Sequence, residues 1–170
     1  MDKPIDIREA RPTDDEAVGE LLVTAFMTAY AAKMPEVVYS DARKRDLRDV
    51  ATKRGEGKVF VAEADGRVVG TVMVYPPGAP RSEAWLPNAA DIRQLAVAPA
   101  HFGKGYSEAL MNAVEAAAWD MGVSVLSLHV RKGADGVARL YERRGYRRAP
   151  EGDLQLPEVH LLAYRKDRPR

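Results

Sequence analysis

Residues 95–110, LAVAPAHFGKGYSEAL, constrain this 170-residue chain more than any other stretch, because they set an apolar strand, a glycine turn and a helix start side by side. Pro99 has no N–H to give a sheet ladder and closes the strand. Gly103 and Gly105 let the backbone approach a ligand with no Cβ in the way. The first N–H groups of the helix that follows lack intrahelical acceptors and lie at the positive end of its dipole, which makes an anion site. The spacing is not that of a P-loop, and it lacks the third glycine and the preceding first strand of a dinucleotide fingerprint. Taken alone, the segment is also an ordinary strand-to-helix turn, so the rest of the chain must decide its meaning.

The length fits one domain, 1–170, with a core that needs no covalent staple. The 26 Lys and Arg nearly balance the 25 Asp and Glu, so charge gives no reason to expect nucleic acid or a membrane surface as partner. Cysteine is absent, which excludes disulfides, thiolate metal sites and a thiol nucleophile. His101, His129 and His160 stand far apart with no HxxxH or HExxH pairing, and no metal is expected. The opening MDKPIDIREARP carries no apolar run of the signal-peptide kind, and no stretch is long and apolar enough to span a bilayer. A cytoplasmic protein is expected, with a disordered basic tail at 166–170.

Periodicity orders the rest. Residues 5–8 alternate as a short strand. Thr13-Asp14-Asp15-Glu16 reads as a capping box opening a helix with Val18, Leu21, Leu22, Ala25, Phe26 and Ala29 on its apolar face, closed by Pro35. A polar helix follows from near Ser40. Residues 58–64 and 67–75 are Val-rich strands joined by Asp65-Gly66, a strong hairpin signal. Pro76, Pro77, Pro80 and Pro87 punctuate a long loop around Trp85, and long ordered loops are often functional. A strand at 90–97, a helix from Tyr106 ended by Gly122, and a strand at 124–130 form a right-handed βαβ unit with parallel strands. A short helix at 135–143 and a last strand at 158–164 complete an order β, α, α, β, β, β, α, β, α, β.

That order, together with two motifs, resembles the GCN5-related N-acetyltransferase (GNAT) superfamily. Residues 95–107 are similar to its acetyl-CoA motif, L-x-V-x-P-x-x-(R/Q)-x-x-G-x-(G/A), and residues 138–146, ARLYERRGY, to its A-x-x-LYE-(R/K)-x-GF element. Phe102 stands where the motif has Arg or Gln, Ser107 where it has Gly or Ala, and Ala134 where relatives often have Asn. The resemblance implies an α/β single-domain mixed sheet of six to seven strands flanked by about four helices, with parallel strands four and five splayed apart. It also implies acetyl-CoA as co-substrate, with its pantetheine arm against Leu95, Ala96 and Val97 and its pyrophosphate cradled by Phe102, Gly103, Lys104, Gly105, Tyr106 and Ser107. A backbone N–H near Val97 would stabilise the oxyanion. Lys104 reads equally as a phosphate contact or a solvated side chain.

The implied reaction moves an acetyl group to a primary amine by direct attack in a ternary complex. A protonated amine must lose a proton before it attacks, and the departing thiolate is helped by an acid. Tyr141 is similar to the family's usual acid, since phenol and thiol are not badly mismatched in acidity. The base is open between Asp91, which shares a strand face with Arg93, Leu95 and Val97, and His129 near the end of the fifth strand; Glu83 and a water chain are further alternatives. The plain reading of Asp91 is a salt bridge with Arg93, and that of His129 a satisfied core residue. Tyr30, Glu36, Tyr39 and Trp85 are candidates for acceptor recognition. The acceptor is expected to be a small-molecule or peptide amine, and a homodimer through the sheet edge is compatible with the reading. The Phe102 departure also admits another class, a catalytically silent CoA-binding or protein-interaction module.

Overall fold

The computed structural model of the chain describes residues 4–29, 40–157 and 159–170. Its strands are β1 (Asp6–Glu9), β2 (Lys58–Ala64), β3 (Arg67–Tyr75), β4 (Ala89–Val97), β5 (Val125–Arg131), β6 (Arg147–Arg148), β7 (Leu154–Gln155) and β8 (His160–Asp167). Its α-helices are α1 (Asp15–Thr24), α2 (Asp41–Arg48), α3 (Val50–Glu56), α4 (Tyr106–Asp120) and α5 (Asp135–Arg143). All strands join one mixed sheet in the order β1-β2-β3-β4-β5-β8-β6, with β7 also on β8. Each pairing is antiparallel except β4 with β5.

The sheet thus has eight strands rather than six or seven, and five α-helices rather than four, among the described residues. The additions have local causes. β6 and β7 are two residues each, too short to show any alternation. The single polar helix expected from Ser40 is two, because Asp49 leaves the helical region (φ −80°, ψ 65°) and caps α3 by accepting from the N–H and hydroxyl of Thr52. The carbonyls freed at that break, on Asp46 and Leu47, take the buried ammonium of Lys53 at 2.8 and 3.2 Å. Desolvation there lowers the Lys53 pKa to about 8.

At the other end, α1 starts at Asp15 and the capping box at Thr13 does not form. Instead Asp14 accepts from the Arg11 N–H at 2.7 Å and from both Nη atoms of Arg8, charge-assisted bonds stronger than a hydroxyl cap. The β2–β3 hairpin is as expected, with Asp65 (φ 50°) and Gly66 (φ 75°) both left-handed as a two-residue primed turn requires. β8 runs through Asp167, which pairs with Val125, so the ladder enters the stretch read as a tail.

Strand alternation builds two cores from one sheet. On β3, Val72 and Val74 face α4, packing with Leu110, Met111 and Val114, while Met73 and Tyr75 face α1 to α3, packing with Leu22, Leu47 and Val50. α4 sits so close to β3 that a Cβ on Gly70 would come within 2.9 Å of Leu110 Cδ1.

Two features of β4 open the sheet. Its pairing with β5 is confined to Ala89/Val125, Ala90/Leu126 and Asp91/Ser127. Just beyond, its register against β3 shifts between Arg93 and Ala96, with Gln94 at φ 59°. This is an extra residue on β4, which bends and twists the strand away from β5.

The wall facing this opening is held by a buried carboxylate. Glu115 of α4 accepts from the Tyr146 hydroxyl at 2.8 Å, from the Arg144 guanidinium and from Lys166 of β8. Burial beside that carboxylate pushes the Tyr146 hydroxyl far above its usual pKa. The cluster ties the C-terminal end of α5 to α4 and the sheet. Glu115→Ala leaves the buried Tyr146 hydroxyl without its acceptor, while Arg144 keeps Glu108 and Asn112, and should cost about 2 kcal/mol in urea denaturation, with Glu115→Gln costing clearly less.

Candidate active site

The divergence of β4 and β5 leaves a cleft of about 510 Å³, floored by Ile92, Gln94 and Leu95 of β4 and by His129, Val130 and Arg131 of β5. Tyr141 of α5 closes one side, Phe26, Arg43 and Glu83 another, and the turn before β8 contributes Leu156 and Val159. Ala96 and Val97 pair with Thr71 and Gly70 of β3. Because the Ala98 N–H donates to Val69 O on β3, strand alternation turns the N–H and C=O of Val97 to the opposite edge, where β5 has left.

At the end of β4 the chain makes a short turn at Pro99–His101 before α4. The Phe102 N–H donates to Pro99 O, so this amide is already used and the open part of the turn begins at Gly103. Gly103 and Gly105 have φ of 73° and 86°, values that only glycine adopts without strain. Gly105 is the N-cap of α4 and provides no side-chain cap. Among the described residues no oxygen accepts from the N–H groups of Gly105, Tyr106 or Ser107. Lys104 is exposed, and the Phe102 ring is 59% exposed.

Tyr141 is 6% exposed, with its ring edge-to-face on Tyr146 at 5.7 Å. His129 is half-buried on β5, with Nε2 2.8 Å from Gly152 O. A carbonyl can only accept, so Nε2 carries the proton and Nδ1 is the acceptor of the neutral ring. Trp85 packs edge-on against His129 at 5.5 Å and covers Gly152 so closely that a Cβ there would lie 2.3 Å from the indole. The proline-rich loop is thereby seated on the site.

Asp91 is placed differently from His129. It is completely buried and is not among the residues lining the cleft. Its Oδ2 accepts from the Glu83 N–H at 2.8 Å, its Oδ1 has no partner, and burial pushes its pKa up to about 7. The Asp91–Arg93 bridge does not form: Arg93 pairs with Glu83 at 2.5 Å and donates to Arg81 O at 2.9 Å. Arg81 reaches Asp46, Asp49 and Glu56 on the helical side. Sequence reasoning missed the Glu83–Arg93 pair and Arg43, since neither follows a spacing rule. Tyr30, Glu36 and Tyr39 lie outside the described residues. Among those described, no group of three or more metal-binding side chains is present and no helix is long and apolar enough to cross a membrane.

Residues 17–146 match the model of the acetyltransferase (GNAT) family. The chain belongs to this family. Solved structures of similar fold include a GNAT-family acetyltransferase from Staphylococcus aureus Mu50, with TM-score 0.76 and 15% identity over 96% of this chain and 99% of that one. The PaiA N-acetyltransferase from Thermoplasma acidophilum, solved in complex with coenzyme A, has TM-score 0.71 and 16% identity over 98% and 100%. A GNAT acetyltransferase from Elizabethkingia anophelis with acetyl-CoA bound has TM-score 0.62 and 17% identity over 96% and 98%. No curated protein sequence gives a significant match.

In this GNAT chain the buried Asp91 makes a pH-dependent contribution to stability. The folded carboxyl keeps its proton to about pH 7, whereas an unfolded one releases it near pH ~4. The folded state therefore binds more protons in between, and this stabilisation, full at low pH, is lost as pH rises through the folded value. Asp91→Asn keeps an acceptor for Glu83 N–H without a charge. It should gain on the order of 2 kcal/mol relative to wild type between about pH 5 and pH 8 in urea denaturation. Gly152→Ala must displace Trp85, and should shift tryptophan emission and lower stability in urea denaturation.

Proposed function

We propose that the chain transfers an acetyl group from acetyl-CoA to a primary amine by direct attack within a ternary complex. The observation that carries this reading is a cleft at the released edge of β4, lined by Leu95, Tyr141 and His129, with β4 running on through Val97 to a helix start whose first N–H groups are unengaged. An extended amide-bearing arm uses such an edge as another strand would. A pyrophosphate suits the N–H groups of 103–107, where nothing lies within 4 Å of the position a Cβ would take on Gly103.

The chemistry follows from these positions. His129 Nδ1 accepts a proton from the acceptor, and the neutral nitrogen attacks the thioester carbon. The carbonyl electrons move onto oxygen, where the Val97 N–H directed into the splay stabilises the charge. The oxyanion collapses, the C–S bond breaks, and the sulfur takes its proton from Tyr141. The products are an acetamide and the CoA thiol; solvent returns the proton to Tyr141 and removes that on His129. Asp91 serves as a latch for the loop through Glu83 N–H, and His129 takes the role of base because it lines the cleft.

Calorimetric titration with acetyl-CoA, followed by thiol release over an amine panel, tests the proposal. Binding with turnover is expected. No binding at millimolar acetyl-CoA sinks it, and binding with no turnover on any amine leaves the silent CoA-binding module. Tyr141→Phe should lower kcat by about 10²-fold with acetyl-CoA affinity preserved, and His129→Gln by a comparable factor. An unchanged rate in either variant removes that residue from the mechanism.

A further inference from the structure

Two large apolar side chains stand exposed among the described residues, Phe102 and Leu156. Leu156 lines the cleft, whereas Phe102 lies outside it, on the turn that leads from β4 to the open N–H groups of α4. The amide of Phe102 is spent on Pro99 O, so what this residue has left to offer a ligand is its ring. The neighbouring rings are engaged with each other: His101 and Tyr106 pack edge-to-face at 5.6 Å, and both are half-buried. Between Phe102 and α4 the chain is bare apart from the exposed Lys104, because Gly103 and Gly105 carry no side chain.

Resting on the reading that acetyl-CoA is the donor, we propose that the Phe102 ring is the platform on which the adenine of CoA stacks, a determinant of donor affinity at the position where the GNAT motif has Arg or Gln. The connectivity of the donor sets the place. Its pantetheine arm goes to the released edge of β4 and its pyrophosphate to the N–H groups of 103–107, so the part left outside the cleft is the adenosine, joined to the phosphates through one ribose. A base on so short a tether comes down beside the turn that holds the phosphates, and the free flat apolar surface there is the ring of Phe102. Such a ring brings no charge to the phosphates; it brings apolar area and a π face, which a purine covers whatever its hydrogen-bond pattern. Apolar surface that is unfavourable in water is then covered only when the donor is bound. Because stacking carries no charge, this share of the affinity is indifferent to salt, unlike the phosphate contacts.

Calorimetric titration of wild type, Phe102→Ala and Phe102→Trp with CoA and with phosphopantetheine, which lacks the adenosine, tests the proposal. The bond from the N–H of residue 102 to Pro99 O is made by backbone and survives both substitutions. Phe102→Ala should weaken CoA about 10-fold, within the range of one base–aromatic stack, and change phosphopantetheine by less than about twofold. Raising salt should weaken CoA binding to both proteins equally, so that their ratio persists. Phe102→Trp should hold CoA at least as tightly as wild type, and the added indole should lose emission with CoA but not with phosphopantetheine, over the signal of Trp85 and Trp119 recorded in wild type. Equal losses for the two ligands in Phe102→Ala mean that the ring acts on the turn or the phosphate, and an unchanged CoA affinity means that it faces away from the base. Either result overturns the proposal, while binding of CoA by wild type leaves the acetyl-transfer reading standing; a wild type that binds no CoA overturns both.

Discussion

The structure depends on one irregularity, the extra residue that β4 carries against β3. A regular β4 would continue its parallel ladder with β5, and the sheet would close over its middle. With Gln94 at φ 59°, the strand turns after three paired positions, and its edge from there to Val97 is released. A left-handed glutamine is not a cheap conformation, and it persists only because its surroundings hold it. On one side lie the buried side chains of Val72 and Met73; on the other, β5 is committed to β8 along seven residues and does not follow. The unpaired edge is a consequence of these pairings and needs no ligand to create it.

The loop between β3 and β4 is ordered by a set of polar bonds rather than by a secondary-structure ladder. Arg81 reaches the α2–α3 corner, Arg93 takes Arg81 O and the Glu83 carboxylate, Asp91 takes the Glu83 N–H, and Trp85 seats on Gly152 and His129. Each contact is modest by itself, but together they fix where Glu83 stands. Asp91 illustrates the cost. Its carboxyl is buried with one oxygen unpartnered, an arrangement tolerated because the group holds its proton over most of the acid range.

The fold was legible in the sequence wherever a residue type had a single local use. Asp65-Gly66 gave the hairpin, Gly122 the end of α4, and the apolar periods the central strands and both long helices. The ARLYERRGY element placed Tyr141 in the cleft wall. What escaped was set by distant partners. The split at Asp49 depends on Lys53 satisfying two carbonyls, and the start of α1 at Asp15 depends on Arg8 reaching Asp14; neither follows from propensity. In the site, strand parity set Asp91, Arg93, Leu95 and Val97 on one face, but the extra residue at Gln94 reverses it, so Leu95 and Val97 pack on the α4 side with Ala90 and Ile92; nor could parity tell that a loop carboxylate, Glu83, would take Arg93. Nor could it distinguish a buried Asp91 from a cleft-lining one, because parity assigns a face and says nothing of what covers it.

Phe102 shows that the turn is built by its backbone and not by the side chain the motif carries there. The consensus Arg or Gln at that position reads as a loss if the side chain is taken as the working part. In the structure the backbone of Phe102 is occupied, its N–H bonded to Pro99 O, and that bond completes the turn which delivers Gly103 in its left-handed conformation. Any residue that permits this turn preserves the unengaged N–H groups from Gly105 to Ser107. The constraint at 102 is therefore on φ and ψ, at −63° and 147°, an extended conformation open to every residue type, and an aromatic side chain satisfies it as well as a polar one. The ring itself projects into solvent, so replacing the consensus side chain changes what the turn displays and leaves how it is built intact.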